Sequence, residues 1–300
     1  MIEPTAELLS GVFPGSAVGR PEYLRWLYEH SPFGPVIETN RDDELGRVGH
    51  YALVPLTLAR DGEELAAALS LNTAVHERAR GGGTFVRLAA ETIEQAREKG
   101  VRAVVGVANA NSTPGFLRRL DFELLGPLPA SVLVPRPLGR RLRSGWFTGP
   151  SSFAAGGPAH ECSPLLSPPA HGEARVWTEA TLRWRLERPG ARYALHRGDR
   201  MLAVSCLDSR RGMRVGIVLK VFAAQPLDAR ARRSLVRSVC AFHRAPLALH
   251  VGRNHRAEFR GVPLPERLRE SPLNLIYRSL EEPPRPGALI DFEFLDFDAY

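Results

Sequence analysis

"HERARGGGTF", residues 76–85, sets two arginines and three consecutive glycines between a strand-like run and a helical pattern. Glycine loses more backbone freedom on ordering than any other residue, so three in a row are costly in a plain turn. Their N–H groups can instead turn to one side with no Cβ in the way, and a helix start behind them adds partial positive charge. The stretch therefore reads as a cradle for a phosphate-bearing ligand. Two familiar phosphate loops do not fit: there is no Gly-Lys-Ser/Thr, and the spacing is not Gly-x-Gly-x-x-Gly. Arg78-Ala79-Arg80-Gly81-Gly82-Gly83 reads as Arg-x-x-Gly-x-Gly.

The flanks agree with a cradle. Gly49–Ala59 and Glu64–Val75 alternate as strands joined by the turn Arg60–Glu63, an antiparallel hairpin. After the glycines, Thr84 can cap a helix whose apolar positions Phe85, Leu88, Ala89, Ile93 and Ala96 follow a helical period, with Gly100 as its stop. Val101–Asn109 is the next strand. Strand, loop, helix and strand in that order make a parallel crossover, with the glycines at the carboxyl end of the first strand, where such sheets bind ligands.

Residues 146–172, dense in Gly, Pro and Ser, predict a linker between a first domain, 1–145, and a second, 173–300. Beyond it, "ARYALHR", "RMLAVSCLD" and "MRVGIVLKVF" read as a three-strand meander, followed by a helix near 228–243 and strands near 247–251, 275–277 and 292–297. Glu22–Gly34 and Ala180–Ala191 share Leu-Arg-Trp ahead of similar strand patterns. The expectation is a duplicated α/β unit, with the glycine loop kept only in the first copy.

Composition narrows the classes. A formal charge of +7 comes almost wholly from arginine, interspersed with acids, and the basic runs 136–143 and 228–237 lack interleaved aromatics, so no nucleic-acid partner is expected. Such a surface still favours anionic ligands or an acidic protein. Cys162, Cys206 and Cys240 are odd in number and far apart, which supports neither a disulfide framework nor a metal site. Glu3 and Glu7 stand where a signal peptide carries positive charge, and no uncharged apolar run approaches the ~20 residues of a membrane span, so a cytoplasmic chain is expected.

The segment Ala67–Pro127, with its Arg-x-x-Gly-x-Gly loop and the later "NANSTPGFLRRLDF", resembles the GNAT superfamily of acyl-CoA-dependent N-acyltransferases, in particular a bipartite bacterial branch with a second GNAT-like half. The resemblance implies an α/β (α+β) fold of two tandem GNAT-like domains, each a mixed, mostly antiparallel sheet flanked by helices, the second degenerate. It further implies an acyl-CoA cosubstrate, acetyl-CoA or another, with no metal. Its pantetheine arm would lie between the strand ending at Val75 and the strand ending at Asn109, and the amides of Arg78, Ala79, Arg80, Gly81, Gly82, Gly83 and Thr84 would hold its pyrophosphate.

Direct transfer from a thioester to an amine needs a neutral amine, stabilisation of the oxyanion and a proton for the departing thiolate. Many GNAT enzymes supply the proton from a tyrosine, but the matching residue here is Phe116, and Asp121 replaces a common glycine. Tyr51 and His76 are the candidate catalysts, with Asn109, Asn111 and Ser112 as hydrogen-bonding neighbours of the thioester. Trp26, Tyr28, Trp184 and Tyr193 read as core aromatics. The expected activity is N-acyl transfer to a small amine or amino sugar. The alternatives are a CoA-binding module without turnover, or a transferase whose donor is an acyl carrier protein.

Overall fold

In the computed structural model, which describes residues 2–137, 139–210, 212–265, 268–269 and 271–300, the hairpin is the spine of the first unit. Helices α1 (Ile2–Val12) and α2 (Pro21–Tyr28) precede strands β1 (Ile37–Asp43), β2 (Gly46–Arg60) and β3 (Glu63–Val75). Pro21 sits in the first turn of α2, where its fixed φ suits a helix start and its missing N–H loses nothing. Asp61 and Gly62 both take positive φ, which matches the two-residue turn favoured between twisted strands. Helix α3 (Thr84–Glu98) then crosses to β4 (Ala103–Ala108), parallel to β3 from Ala67↔Ala103 to Ser70↔Gly106. Helix α4 (Thr113–Arg119) and β5 (Glu123–Pro127) follow. Leu88, Ala89, Ile93 and Ala96 of α3 pack on Tyr51, Leu53, Ala68 and Val104 of the sheet, so the helical period read from the sequence is the buried face.

The second unit holds β6 (Ala130–Leu133), β7 (Arg143–Trp146), β8 (Glu173–Arg175), α5 (Glu179–Leu186), β9 (Ala194–Gly198), β10 (Met201–Arg210), β11 (Met213–Ala223), α6 (Ala229–His243), β12 (Leu247–Arg253) and β13 (Val262–Pro263). Strands β9, β10 and β11 form the expected antiparallel meander, and α6, capped by Asp228, crosses to β12 parallel to β11. Both units thus run helix, three-strand meander, helix, parallel strand. The shared Leu-Arg-Trp lies in the helix before each meander, with Leu24 and Trp26 buried in α2 and Leu182 and Trp184 in α5.

The division of the chain departs from the expected one. Strand β14 (Asn274–Ser279) pairs antiparallel with both β4 and β5 and belongs to the first unit, whereas β15 (Leu289–Glu293) pairs with β8 and β12 in the second. The units are Met1–Pro127 with Arg188–Gly190 and Ser271–Ala288, and Leu128–Glu187 with Ala191–Glu270 and Leu289–Tyr300. Residues 146–172 are packed chain rather than a spacer: Ser152, Ala159, Cys162, Leu165 and Leu166 are buried. Proline and glycine there serve tight turns, a role composition alone does not separate from a linker. Phe292–Phe297 is a strand only to Glu293, then a 3-10 turn.

Candidate functional site

In the first unit β3 and β4 part after Ser70 and Gly106, their last parallel pair. A bulge marks the place: His50 pairs Ala74 and Ala52 pairs Leu71, leaving Asn72 and Thr73 against Tyr51 alone. Bulges bend the strand that carries them, and Asn72 takes φ 51, a conformation asparagine tolerates better than most residues. Gly106 keeps the fork tight, since a Cβ there would stand 3.3 Å from that of Ser70. The fork opens a cleft of about 530 Å³ lined by residues 70–75 of β3, Gly106, Val107 and Asn109 of β4 and the turn after it, Phe85, Phe116, and Val12 and Phe13 at the end of α1.

The glycine loop begins at one end of this cleft. His76 opens a 3-10 turn, its Nδ1 accepting the Arg78 N–H at 3.3 Å, and Gly81 and Gly83 follow at φ 84 and 72. Gly83, not Thr84, is the helix cap; the chain turns at Gly83, so Thr84 is already helical and its hydroxyl donates to the Ala79 carbonyl at 3.0 Å. No side chain caps α3, so its first-turn amides lack both intrahelical and side-chain acceptors. A Cβ at Gly81 or Gly82 would meet nothing within 4 Å. These are the features of an anion cradle: donors, helix-start polarity and open space above them.

The two arginines differ. Arg78 donates to both Asp43 carboxylate oxygens, at 2.8 and 3.1 Å, and its guanidinium holds that carboxyl below its usual range. Arg80 lines the cleft, its Nε donating to the Val75 carbonyl at 3.2 Å, and is the one ionisable group among the described residues of the lining.

Of the expected residues, Val75, Arg80, Asn109, Asn111, Ser112 and Phe116 line the cleft, while Tyr51 and His76 do not. Tyr51 is fully buried beside Phe85 and Phe116, and burial drives its phenol well above the ordinary range. Its hydroxyl meets Ser70 Oγ at 2.8 Å, and Ser70 does line the cleft. Asn109 Oδ1 accepts the N–H groups of Asn111 and Ser112 at 3.0 and 2.9 Å, folding the turn that starts α4. Phe116 packs edge-on with Phe85 and Phe122, and a Cβ at Gly115 would come within 2.8 Å of the Phe85 ring. Asp121 takes φ 52, which explains why a glycine would serve there.

The alternating pattern of Glu64–Val75 marks neither the fork at Ser70 nor the bulge at Asn72. An alternating strand gives no sign of a bulge, and the asparagine alone was its signal.

Comparison with known proteins bears on this geometry. The fold is shared with solved structures whose names are those of acyltransferases. Across 94% of this chain and 71% of the other, it matches a GCN5-related N-acetyltransferase of Anabaena variabilis at TM-score 0.66 and 12% identity. A probable N-acyltransferase of Enterococcus faecalis matches over 93% and 70% at TM-score 0.63 and 11% identity. Saccharomyces cerevisiae N-myristoyltransferase with bound myristoyl-CoA matches over 92% and 79% at TM-score 0.59 and 9% identity. No curated protein matches the sequence. Residues 2–125 match the family model described as an acetyltransferase (GNAT) domain. Among the described residues no helix is long and apolar enough to cross a membrane, and no group of three or more His, Cys, Asp or Glu is placed to hold a metal.

Proposed function

We propose that the first unit binds an acyl-CoA, with acetyl-CoA the simplest case, and passes its acyl group to a small amine or amino sugar by direct attack on the thioester. The uncapped start of α3 behind the glycine loop, with open space at Gly81 and Gly82, carries this reading. The loop amides from Gly81 onward hold the pyrophosphate, Arg80 adds charge, and the pantetheine arm lies along residues 71–75, whose β4-facing groups have no strand partner past Ser70. Ser70 is the nearest hydroxyl at the fork, and Tyr51 behind it orients that hydroxyl toward a departing thiolate.

A second reading, binding without turnover, is favoured by one observation: no described carboxylate, histidine or tyrosine lines the cleft. The two separate in a screen of amines and amino sugars with acetyl-CoA, read as thiol release. Amine-dependent release, slowed roughly 100-fold in Ser70→Ala, supports transfer. Binding of acetyl-CoA by calorimetry with no release from any amine decides for the module without turnover.

A further inference from the structure

Behind the bulge runs a buried polar chain that acyl transfer, as drawn above, leaves unused. Asn72 Nδ2 donates to the Tyr28 hydroxyl oxygen at 3.1 Å, and that hydroxyl stands 2.8 Å from His50 Nε2. On the other side of the ring, His50 Nδ1 lies 2.7 Å from Asn40 Oδ1 and 3.5 Å from Glu38 Oε2. Both neighbours of Nδ1 are acceptors, so Nδ1 carries the proton and Nε2 the lone pair. The direction of every bond follows: Asn72 donates to Tyr28, Tyr28 to His50, His50 to Asn40. Tyr28 is 2% exposed and His50 fully buried, so no water competes for these groups.

The chain ends on the one cleft residue held at positive φ. Just before the bulge Tyr51 ties Ser70; within it Tyr28 ties Asn72. Between them lies Leu71, past the last pairing with β4. Two buried tyrosines thus brace the stretch of β3 that lines the cleft beyond its last pairing with β4, and the second brace is itself fixed by a histidine of determined tautomer.

We infer that Tyr28 and His50 are positioning residues: through Asn72 they fix the β3 bulge so that its unpaired amides meet the carbonyl of a bound thioester. The inference rests on the acyl-CoA reading of the cleft. It differs from a general packing role in its consequence, because it touches recognition of the acyl carbonyl and leaves the pyrophosphate cradle alone.

The test compares acetyl-CoA with S-ethyl-CoA, which has the same length and lacks the carbonyl oxygen, by titration calorimetry. One hydrogen bond gives the parent a preference for acetyl-CoA of roughly three- to tenfold. In Tyr28→Phe that preference falls toward one, while S-ethyl-CoA binds within about twofold of the parent. Asn72→Gly, which keeps the tolerance of positive φ but removes the side-chain tie to Tyr28, gives the same loss and covers the case of a poorly folded Tyr28→Phe. His50→Gln, whose amide oxygen can accept from Tyr28, retains part of the preference. A parental ratio in both Tyr28→Phe and Asn72→Gly overturns the inference, as does a parent that binds both ligands equally tightly. A parent that binds neither overturns the acyl-CoA reading itself, and the inference with it.

Discussion

In the second unit the Glu293 carboxylate accepts the backbone N–H of Val221 at 3.4 Å, three residues past Val218↔His250, the last parallel pair of β11 and β12. The corresponding place in the first unit is the open cleft beyond Ser70↔Gly106. Here the gap is filled from within. Glu293 also takes bonds from Asn254 Nδ2 and pairs with His250 Nε2, both at 2.8 Å, and Lys220 Nζ lies 2.6 Å from Asp296 and 3.4 Å from Glu293. Burial pulls against the Lys220 charge, but Asp296 and Glu293 outweigh it and hold the ammonium above its ordinary range. A closed set of buried charges is hard to open, since removing one partner typically costs about 3–5 kcal/mol.

One acyl-CoA site per chain is therefore expected. The α6 start agrees: Asp228 caps it by accepting the Ala231 N–H at 2.7 Å, so a carboxylate already stands where the first unit leaves bare amides. Titration of acetyl-CoA into the protein should saturate at one equivalent, and two equivalent sites would refute the filled gap.

The glycine loop allows a cleaner test than loss of charge. Gly83 sits at φ 72, where a β-branched residue is strained by roughly 1–2 kcal/mol, so Gly83→Val mixes backbone strain with obstruction. Gly82 lies outside the left-handed region, with nothing within 4 Å of an added Cβ. Gly82→Val should leave the melting temperature close to the parent's and still weaken CoA binding, by several kcal/mol if two or three charge-assisted bonds of roughly 1.5–3 kcal/mol are lost. Arg78→Ala should matter less than Arg80→Ala, because Asp43 already holds Arg78. If calorimetry gives Gly82→Val the parental affinity, the loop is only a turn.

Much of this was readable from the chain, and the failures have definite causes. The β2–β3 hairpin, the crossover through α3 and the second meander follow from local period and turn chemistry, which act over neighbouring residues. The return of β14 to the first sheet does not. Leu275, Ile276 and Tyr277 are apolar whichever sheet they join, and the choice is made by pairing with β4 and β5, far away in the sequence. The loop motif was legible because glycine is demanded by backbone geometry. Tyr51 and His76 are suggested by residue type alone, and type does not report that Tyr51 is fully buried against Ser70 or that His76 Nδ1 is taken up by the Arg78 N–H.

Acid should unfold the protein through three buried histidines. Burial is the main cause that lowers His50 and His196 to about 3 and His243 to about 4, with Arg47 adding to it at His50, His243 at His196, and Arg214 at His243. The bonds around Ser205 show why protons are refused. His243 Nδ1 has no partner, so His243 donates through Nε2 to Ser205 Oγ at 2.7 Å, and Ser205 donates to His196 Nε2, also at 2.7 Å. His196 Nδ1 then donates to Ser144 Oγ at 2.8 Å, so a proton added at His196 Nε2 would set two donors face to face. A histidine in the unfolded chain takes its proton near pH 6.5. Each of the three thus contributes stability that is complete above pH 6.5 and lost as pH falls toward its folded value. The loss is about 1.4 kcal/mol per pH unit for each histidine. Together they remove about 4 kcal/mol per unit between roughly pH 6 and pH 4.5, about 6 kcal/mol over that window and comparable with the whole stability of a typical domain. Carboxylates held low by arginine, such as Glu281 beside Arg60 and Arg102, add their losses only below about pH 4.5. Urea unfolding from pH 7.5 to 4.5 should show this slope, and His50→Gln should reduce it by one proton. Stability that stays level from pH 7 to pH 5 would mean that these histidines are open to water.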